Sequence, residues 1–383
     1  MIHPLEAWVY RNEPKVAPVR DALSPKQAQK LLSDPYQSLH IAFPSDPEQL
    51  YTTWNRWIRE RVLRREPLPT LYAYSQTFYR YGEEGRSYQR IGIIGLLPVE
   101  APILPHEAIL PDRLSGLLQG LARLPVQATP IHVLATGDWE KIIALSRSYL
   151  VCPQFVYGGD DGVMHRWVPI HHWAHQRLIQ KALDQATFYI ADGHHRWHAI
   201  RALGLRYLLV YVTPIQDDTL IIVPTHRFVR SPESLQNLLE RFFVLRPSAA
   251  RIPLWQEIRG LRHALGVVAP GGRAYTARLK PEYWAHLEER PLVALLHEWI
   301  LDQIGGDILT SREPAALIQA ASRGEGWTFI LPELPLTYVK RAAQVGQTLP
   351  PKATFFFPKV LSGLCFYHEG DTRFSISEAA GSS

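Results

Sequence analysis

Residues 188–200 read FYIADGHHRWHAI. An apolar run rich in aromatic and branched residues meets Asp192, Gly193, His194, His195 and Arg196, and a helix-like run follows at once. The two patterns have different periods, so the chain must turn here from a buried strand into a helix. Gly193 supplies the backbone freedom that such a tight turn asks for. His194, His195 and Arg196 then fall at the start of the helix, where backbone N–H groups lack intrahelical partners and the dipole is positive. One guanidinium and two imidazoles at that place make an anion seat, best suited to phosphate. Asp192 is the odd member, because phosphate repels a carboxylate. It is tolerable there if it holds Mg²⁺ or positions a nucleophile. The plainer reading has the histidines capping the helix and Arg196 pairing with Asp192. Five adjacent polar residues between two apolar elements favour the site.

The rest of the chain sets this turn in a mixed α/β framework. Residues 70–80 and 90–100 read as strands, with a hairpin loop at Gly82 and Gly85 between them. Residues 24–34 form a helix capped by Ser24 with Pro25 in its first turn, and residues 47–66 form a longer amphipathic one. A helix over 110–124 leads to a strand at 130–135, and a less regular stretch over 136–185 carries a helix at 171–183. After the turn come the helix, a strand at 207–213 and another at 220–229. The remainder alternates helices (232–243 and 291–304) with short strands (328–334 and 354–360).

With 383 residues the chain is long enough for about two or three domains and needs no covalent staples. It holds two cysteines, Cys152 and Cys365, too few for a disulfide framework or a four-cysteine zinc site. No apolar stretch nears the roughly 20 residues of a membrane span. The first residues lack a basic head followed by an apolar core. A cytoplasmic protein is expected, with no membrane partner. The net charge of +5 is mild and scattered, which argues against nucleic acid as a partner. Arginine far outnumbers lysine, of which there are nine, and arginine favours bidentate phosphate contacts.

The chain has no GxxxxGK[ST], no GxGxxG and no GxSxG, so any nucleotide is handled without a P-loop or a dinucleotide fingerprint. His194 and His198 are four apart on a helix, and so are His171 and His175, a spacing at which two imidazoles share a zinc ion. There is no HExxH and no carboxylate at a matching offset, which speaks against His194 and His195 as zinc ligands.

Residues 96–135, read with residues 188–212, resemble the ParB/sulfiredoxin fold. The marks are a strand, a PHE turn, a helix beginning near an arginine (Arg113), a PIxV strand and a DGHHR turn opening a helix. The PHE and DGHHR pair is most similar to free serine kinases, which phosphorylate the hydroxyl of L-serine. That resemblance implies Glu107 as the base on the hydroxyl and Asp192 as its helper. Gly193, His194, His195 and Arg196 would hold nucleotide phosphate, with ATP or ADP and Mg²⁺ as cofactors and Asp192 as the metal candidate. From about 70 to 364 the chain resembles a larger family, domain of unknown function 1015. Its marks stand here as TLYAYSQTF, RIGIIGLLP, ILPHEAI, ADGHHRWHA, VPTHRFV and LPPKATFFFPKVLSGL. The family's usual HHRYETA is HHRWHAI here, its PPYDV near the start is replaced by APVRDAL, and KSTFFYPK is KATFFFPK, with Ala353 in place of a hydroxyl residue.

The fold expected on these grounds is α/β with a ParB/sulfiredoxin-like core. An N-terminal α/β region covers 1–93, the core 94–215 with its insertion at about 136–185, and a C-terminal α/β region 216–383. The expected function is nucleotide-dependent phosphotransfer to a small hydroxyl compound, serine or a relative. Two other readings stay open: a nucleotide-binding and hydrolysing switch that acts through partners, and a metal-dependent hydrolase that uses the histidine cluster. Supporting site residues are His106, Arg113, Gln76, His226, Arg227 and Lys359. Lys359 is unusual in an aromatic strand and would reach phosphate or snorkel outward. His226 and Arg227 are site residues or a surface pair, and Glu107 has a second reading as a capping acid.

Overall fold

The computed structural model describes residues 1–79, 85–230, 235–248, 253–304 and 307–371. They form a mixed α/β protein of two compact units. The first comprises residues 1–103, 109–220 and those from 358 onward, and the second comprises 104–108 and 221–357. Among the described residues no helix is long and apolar enough to cross a membrane.

Seven strands of the first unit share one sheet. In chain order they are β1 (Leu71–Tyr79), β2 (Ser87–Pro98), β3 (Ile131–Ala135), β4 (Phe155–Gly158), β5 (Met164–Ile170), β6 (Phe188–Asp192) and β7 (Tyr207–Pro214). Among these seven of the sheet's eight strands the order is β6-β3-β7-β2-β1-β5-β4. Every pair is antiparallel except β3 with β7. β1 and β2 are a hairpin, as their patterns predict, and most of its turn falls on residues 80–84, outside the described residues. The stretch 136–185 is more regular than the sequence reading expects. Its β4–β5 hairpin extends the sheet beyond β1, and its helices α4 (Trp139–Leu150) and α5 (Trp173–Ala182) pack on the sheet.

β2 is apolar for most of its length because both of its faces are buried, the pattern of a central strand. One face of the sheet carries Ala73, Ile91, Ile93, Val133, Ile190, Val210 and Val212. It packs against Trp139 and Ile142 of α4, Ile179 of α5, and Trp197 and Ile200 of helix α6 (His194–Ala202). Each fully buried aliphatic or aromatic side chain contributes about 1.5–3 kcal/mol, so this face supplies much of the unit's stability. The alternate residues form a second face with a different character. Apolar side chains such as Ile94, Leu96 and Leu209 share it with the buried Tyr74, Gln76, Arg90, His132, His165, Tyr211 and Thr213.

Two sequence expectations change here. The amphipathic segment 47–66 is helical only over Leu50–Arg59, preceded by a short 3₁₀ turn at Pro47–Gln49. Arg61 takes a left-handed conformation (φ 57°) that ends the helix, and Leu63–Arg65 pairs with Trp8–Tyr10 as a strand. The segment 220–229 is two strands, Ile221–Ile222 and His226–Val229, split around Pro224. The Ser24 cap is present as a full capping box with Gln27.

In the second unit, strands β8 (His226–Val229), β9 (Phe243–Pro247), β10 (Ala264–Val268), β11 (Ala274–Leu279), β12 (Ile308–Ser311) and β13 (Trp327–Ile330) form an antiparallel sheet in the order β9-β11-β10-β13-β8-β12. Of the helix expected over 232–243, Gln236–Phe242 is helical and residues 231–234 lie outside the described residues. The helix expected over 291–304 passes through one π-helical turn at His297–Leu301. The strand expected over 354–360 is reduced to Phe356–Phe357.

Gly92 lets β2 and β7 close. A Cβ at this position would stand 2.3 Å from the Val212 carbonyl oxygen and 2.6 Å from the Tyr211 ring. Backbone cannot yield as a side-chain tip can, so Gly92→Ala is expected to cost about 3 kcal/mol or more in urea unfolding. Parent-like stability in that variant would show that the two strands part easily.

Candidate functional site

β6 ends in an irregularity that decides where Asp192 points. Ile190 pairs with Val133, but Asp192 pairs with His132, leaving Ala191 as an extra residue. Without this bulge Asp192 would share the face of Ile190 and look into the apolar core. With it, Asp192 joins the second face beside His132. Gly193 follows at φ 102° in the left-handed region and serves as N-cap of α6. A Cβ on Gly193 would lie 2.6 Å from Nη2 of Arg196. The missing side chain is therefore what allows the Arg196 guanidinium to fold back over the turn.

Arg196 Nη2 donates to Asp192 Oδ2 at 3.1 Å, and its Nη1 donates to the Thr129 carbonyl at 3.4 Å. Lys359 Nζ donates to Asp192 Oδ1. Both carboxylate oxygens are thus engaged, each by a different cation. Burial alone would raise the Asp192 carboxyl, but Lys359 and then Arg196 outweigh it and hold the group well below the usual carboxylate range. Lys359 is placed by a short strap that crosses the second face. The Lys359 carbonyl accepts from Gln76 Nε2 at 2.9 Å, the Pro358 carbonyl accepts from Arg90, and Leu361–Ser362 pairs with Ala17–Pro18. Gln76 is fully buried, and its own carbonyl oxygen has no partner among the described residues.

The two histidines of the turn differ in role. His195 Nε2 accepts the Leu110 N–H at 2.8 Å, which ties helix α3 (Pro111–Arg123) to the start of α6 and leaves the ring proton on Nδ1. His194 is buried, and burial pushes its imidazole down to about 3. Arg113 lies on α3 and is exposed.

The second face continues inward as a row of polar rings that sequence reasoning missed. His132 Nε2 meets Thr213 Oγ1 at 2.9 Å, and its ring stacks 5.1 Å from Tyr211. Tyr211 lies edge-on to Tyr74, whose hydroxyl is hydrogen-bonded with His165 Nδ1 at 2.6 Å. Burial drives His132 well below its ordinary pKa and His165 to about 3. The only signal for these residues is a lone polar letter inside an apolar run, as in PIHVLA.

The second unit gathers the PHE residues. Glu107 Oε2 accepts the Thr354 hydroxyl at 2.8 Å, and Oε1 accepts the Lys352 N–H at 3.2 Å. His106 is buried and places Nε2 at 3.3 Å from Thr354 Oγ1. The Thr354 proton goes to the carboxylate, so His106 donates and the three groups form a directed chain. The hydroxyl that orients Glu107 is therefore Thr354, which this chain keeps, and not the position of Ala353. Arg227 is fully buried, with Nε on His297 Nε2 at 3.0 Å and Nη2 on the carbonyls of Pro351 and Lys352 at 3.3 Å. Burial lowers its pKa to about 10 against the opposing charge of Glu107. His226 is buried as well, accepts the Leu331 N–H at 3.1 Å and is pushed to about 4 by burial. Neither residue belongs to a surface pair. Lys352 adopts φ 58°, rare for a side-chain-bearing residue, in the turn that holds Glu107.

A metal at Asp192 would have to displace Lys359 or Arg196. Among the described residues no three His, Cys, Asp or Glu side chains converge as a metal site. His171 lies 3.4 Å from the Glu66 carboxylate and His175 Nδ1 bonds the Tyr149 hydroxyl at 2.8 Å, so these two histidines have separate partners.

Residues 2–298 match the model of the family described as protein of unknown function DUF1015. The chain belongs to that family. No curated protein matches it. Among solved structures it is similar to a free serine kinase variant in complex with ADP, at 12% identity and a TM-score of 0.40, covering 71% of this chain and 92% of that one. It is similar at the same TM-score to a conserved hypothetical protein from Pyrococcus furiosus, at 12% identity over 73% of this chain and 96% of that one. A third is SbnI from Staphylococcus aureus, truncated at its C-terminus, at 14% identity and TM-score 0.40 over 72% and 83%. Lys359 and Thr354 lie beyond the residues matched by the DUF1015 model, yet they hold Asp192 and Glu107, which lie within them.

The buried histidines set a pH dependence. His165 and His194 stay neutral in the folded state down to about pH 3, whereas an unfolded histidine takes a proton below about 6.5. Stability is therefore complete above pH 6.5 and is lost as the pH falls from there toward 3. At pH 5 each histidine costs on the order of 2 kcal/mol relative to pH 7.5. The loss from Asp192 has the same sign but begins only near its ordinary value of 3.8. Denaturant midpoints at pH 7.5 and 5.0 should differ accordingly, and His165→Gln should flatten the slope. Equal midpoints in the parent would refute neutral burial.

Proposed function

We propose that this chain is a nucleotide-dependent phosphotransferase acting on the hydroxyl of a small molecule, serine or a relative, in the cytoplasm. The observation that carries the reading is the clamp at the start of α6. One carboxylate holds two cations apart at a helix N-terminus, so the positive charge is in place before any ligand arrives. Phosphoryl transfer asks for such neutralisation more than for covalent help from the protein. Arg196 and Lys359 would take phosphate oxygens, with the N–H groups of the first helical turn as further donors. Asp192 then acts as the part that orients the cations.

Mg²⁺ would come with the phosphates of ATP or ADP and neutralise charge there. Glu107 is proposed as the base, following the resemblance to free serine kinases. Its two carboxylate oxygens are oriented by Thr354 and Lys352, which leaves lone pairs of both available to a substrate hydroxyl. The acceptor proton passes to Glu107, the acceptor oxygen bonds to phosphorus, and the bridging oxygen leaves with the nucleotide.

Two variants separate binding from chemistry. Arg196→Ala should fold and lose roughly 10- to 100-fold in nucleotide affinity by calorimetry, the worth of a charge-assisted contact. Glu107→Gln should keep that affinity and lose about 10²–10⁴-fold in phosphotransfer to serine-like acceptors. Unchanged affinity in the first variant removes the clamp from the mechanism. Full turnover in the second removes Glu107 as the base.

A further inference from the structure

A cleft in the first unit opens beside the clamp. Its walls come from α3, from the stretch 124–129, from α6 and from the residues around Ile41 and Leu50; its cavity volume is about 50 Å³ and it is partly open to solvent. Among the described residues Arg196 is the one charged residue in its lining. The two polar side chains beside Arg196 are already committed. Gln127 bridges the Tyr207 carbonyl and the Leu209 N–H, and Thr129 Oγ1 bonds Ser362 Oγ at 2.7 Å. The remaining side chains are apolar, among them Leu117, Leu121 and Ile200. The occupant that fits is an apolar or flat body with an anion at one end.

α3 adds an independent feature. Gly116 and Gly120 stand one turn apart on the side of this helix that lines the cleft. Glycine is the poorest residue for a helix interior apart from proline. Neither glycine has a positive φ. A Cβ on Gly116 would meet nothing within 4 Å, and one on Gly120 would meet only Leu50 at 3.6 Å and Pro44 at 3.9 Å. Neither the fold's packing nor its backbone asks for glycine here. Gly120 is buried beside Leu50 and Pro44, but at Gly116 bare, exposed backbone borders the apolar cleft, which suits a planar ring laid against the helix.

We infer that the cleft between α3 and α6, bordered by Gly116 and ending at Arg196, is the nucleoside subsite of this protein, holding a nucleobase by contact area while the attached phosphates sit on the Arg196–Lys359 clamp. The inference rests on the reading of that clamp as a phosphate seat. Because the lining side chains offer the ring no uncommitted hydrogen-bonding group, purine nucleotides of either kind bind alike.

Calorimetry on the full chain with ADP, GDP and inorganic pyrophosphate tests this, in the parent and in Gly116→Leu and Gly116→Ala. A leucine at position 116 projects into open space, so the helix is retained, which circular dichroism checks. In the parent, ADP and GDP should bind within about threefold of each other and at least tenfold more tightly than pyrophosphate. Gly116→Leu should weaken both nucleotides at least tenfold and leave pyrophosphate within twofold, while Gly116→Ala stays near the parent. Equal binding of ADP and pyrophosphate in the parent, or nucleotide binding untouched by Gly116→Leu, overturns the subsite and leaves the phosphate seat standing. A large preference of the parent for ADP over GDP overturns recognition by contact area. If the parent binds none of the three, the clamp is no phosphate seat and both readings fall.

Discussion

The Asp192 carboxylate sits between two cations that come from opposite directions in the chain, Arg196 from the helix just begun and Lys359 from a strap 167 residues later. Asp192 is half-buried; a charge partly withdrawn from water is costly unless paired, and losing one partner of such a group leaves the other exposed to that cost. The surrounding structure answers this need piece by piece. The bulge at Ala191 turns Asp192 away from the apolar core, and Gly193 makes room for the guanidinium to return. The strap carries its own backbone partners in Gln76 and Arg90, so Lys359 is held by more than its ion pair.

That strap covers a sheet face whose composition is otherwise hard to justify. Buried polar groups add little net stability even when satisfied, and they are costly when they are not. Here a row of neutral imidazoles and phenols runs from Asp192 through His132, Tyr211 and Tyr74 to His165. Burial holds the histidines uncharged and raises the Tyr211 phenol, so the row conveys no net charge toward the clamp. The stabilising burden falls on the opposite face, where the same strands pack apolar side chains under α4, α5 and α6.

In the second unit a similar economy of means surrounds Glu107. A buried arginine fixes the Pro351–Lys352 carbonyls, the strained Lys352 presents its N–H, and Thr354 passes a hydrogen bond from His106 to the carboxylate. The residue that matters beside Ala353 is its neighbour. The substitution that removes one hydroxyl from this segment leaves the working hydroxyl in place.

Local patterns were enough to place β1, β2, β6, β7 and the helix at His194, because period, aromatic content and the Gly193 break are properties of consecutive residues. The turn at Gly193–Arg196 was legible for the same reason: a strand, a glycine and a basic first turn are adjacent in the chain. The amphipathic pattern at 47–66 misled, since Arg61 leaves the helical conformation and Leu63–Arg65 finds a strand partner fifty-odd residues earlier, at Trp8–Tyr10. Pairing of that kind has no signal in the segment itself. The same holds for the pairing of Lys359 with Asp192, the hold of Thr354 on Glu107 and the row of buried rings, each made of residues far apart in the chain. Which face Asp192 occupies depends on one unpaired residue, Ala191, and alternation along the sequence reads that position the wrong way round. Sequence determines the elements and the chemistry each can offer; only the packed sheet, through register, bulge and strap, decides which of those groups meet.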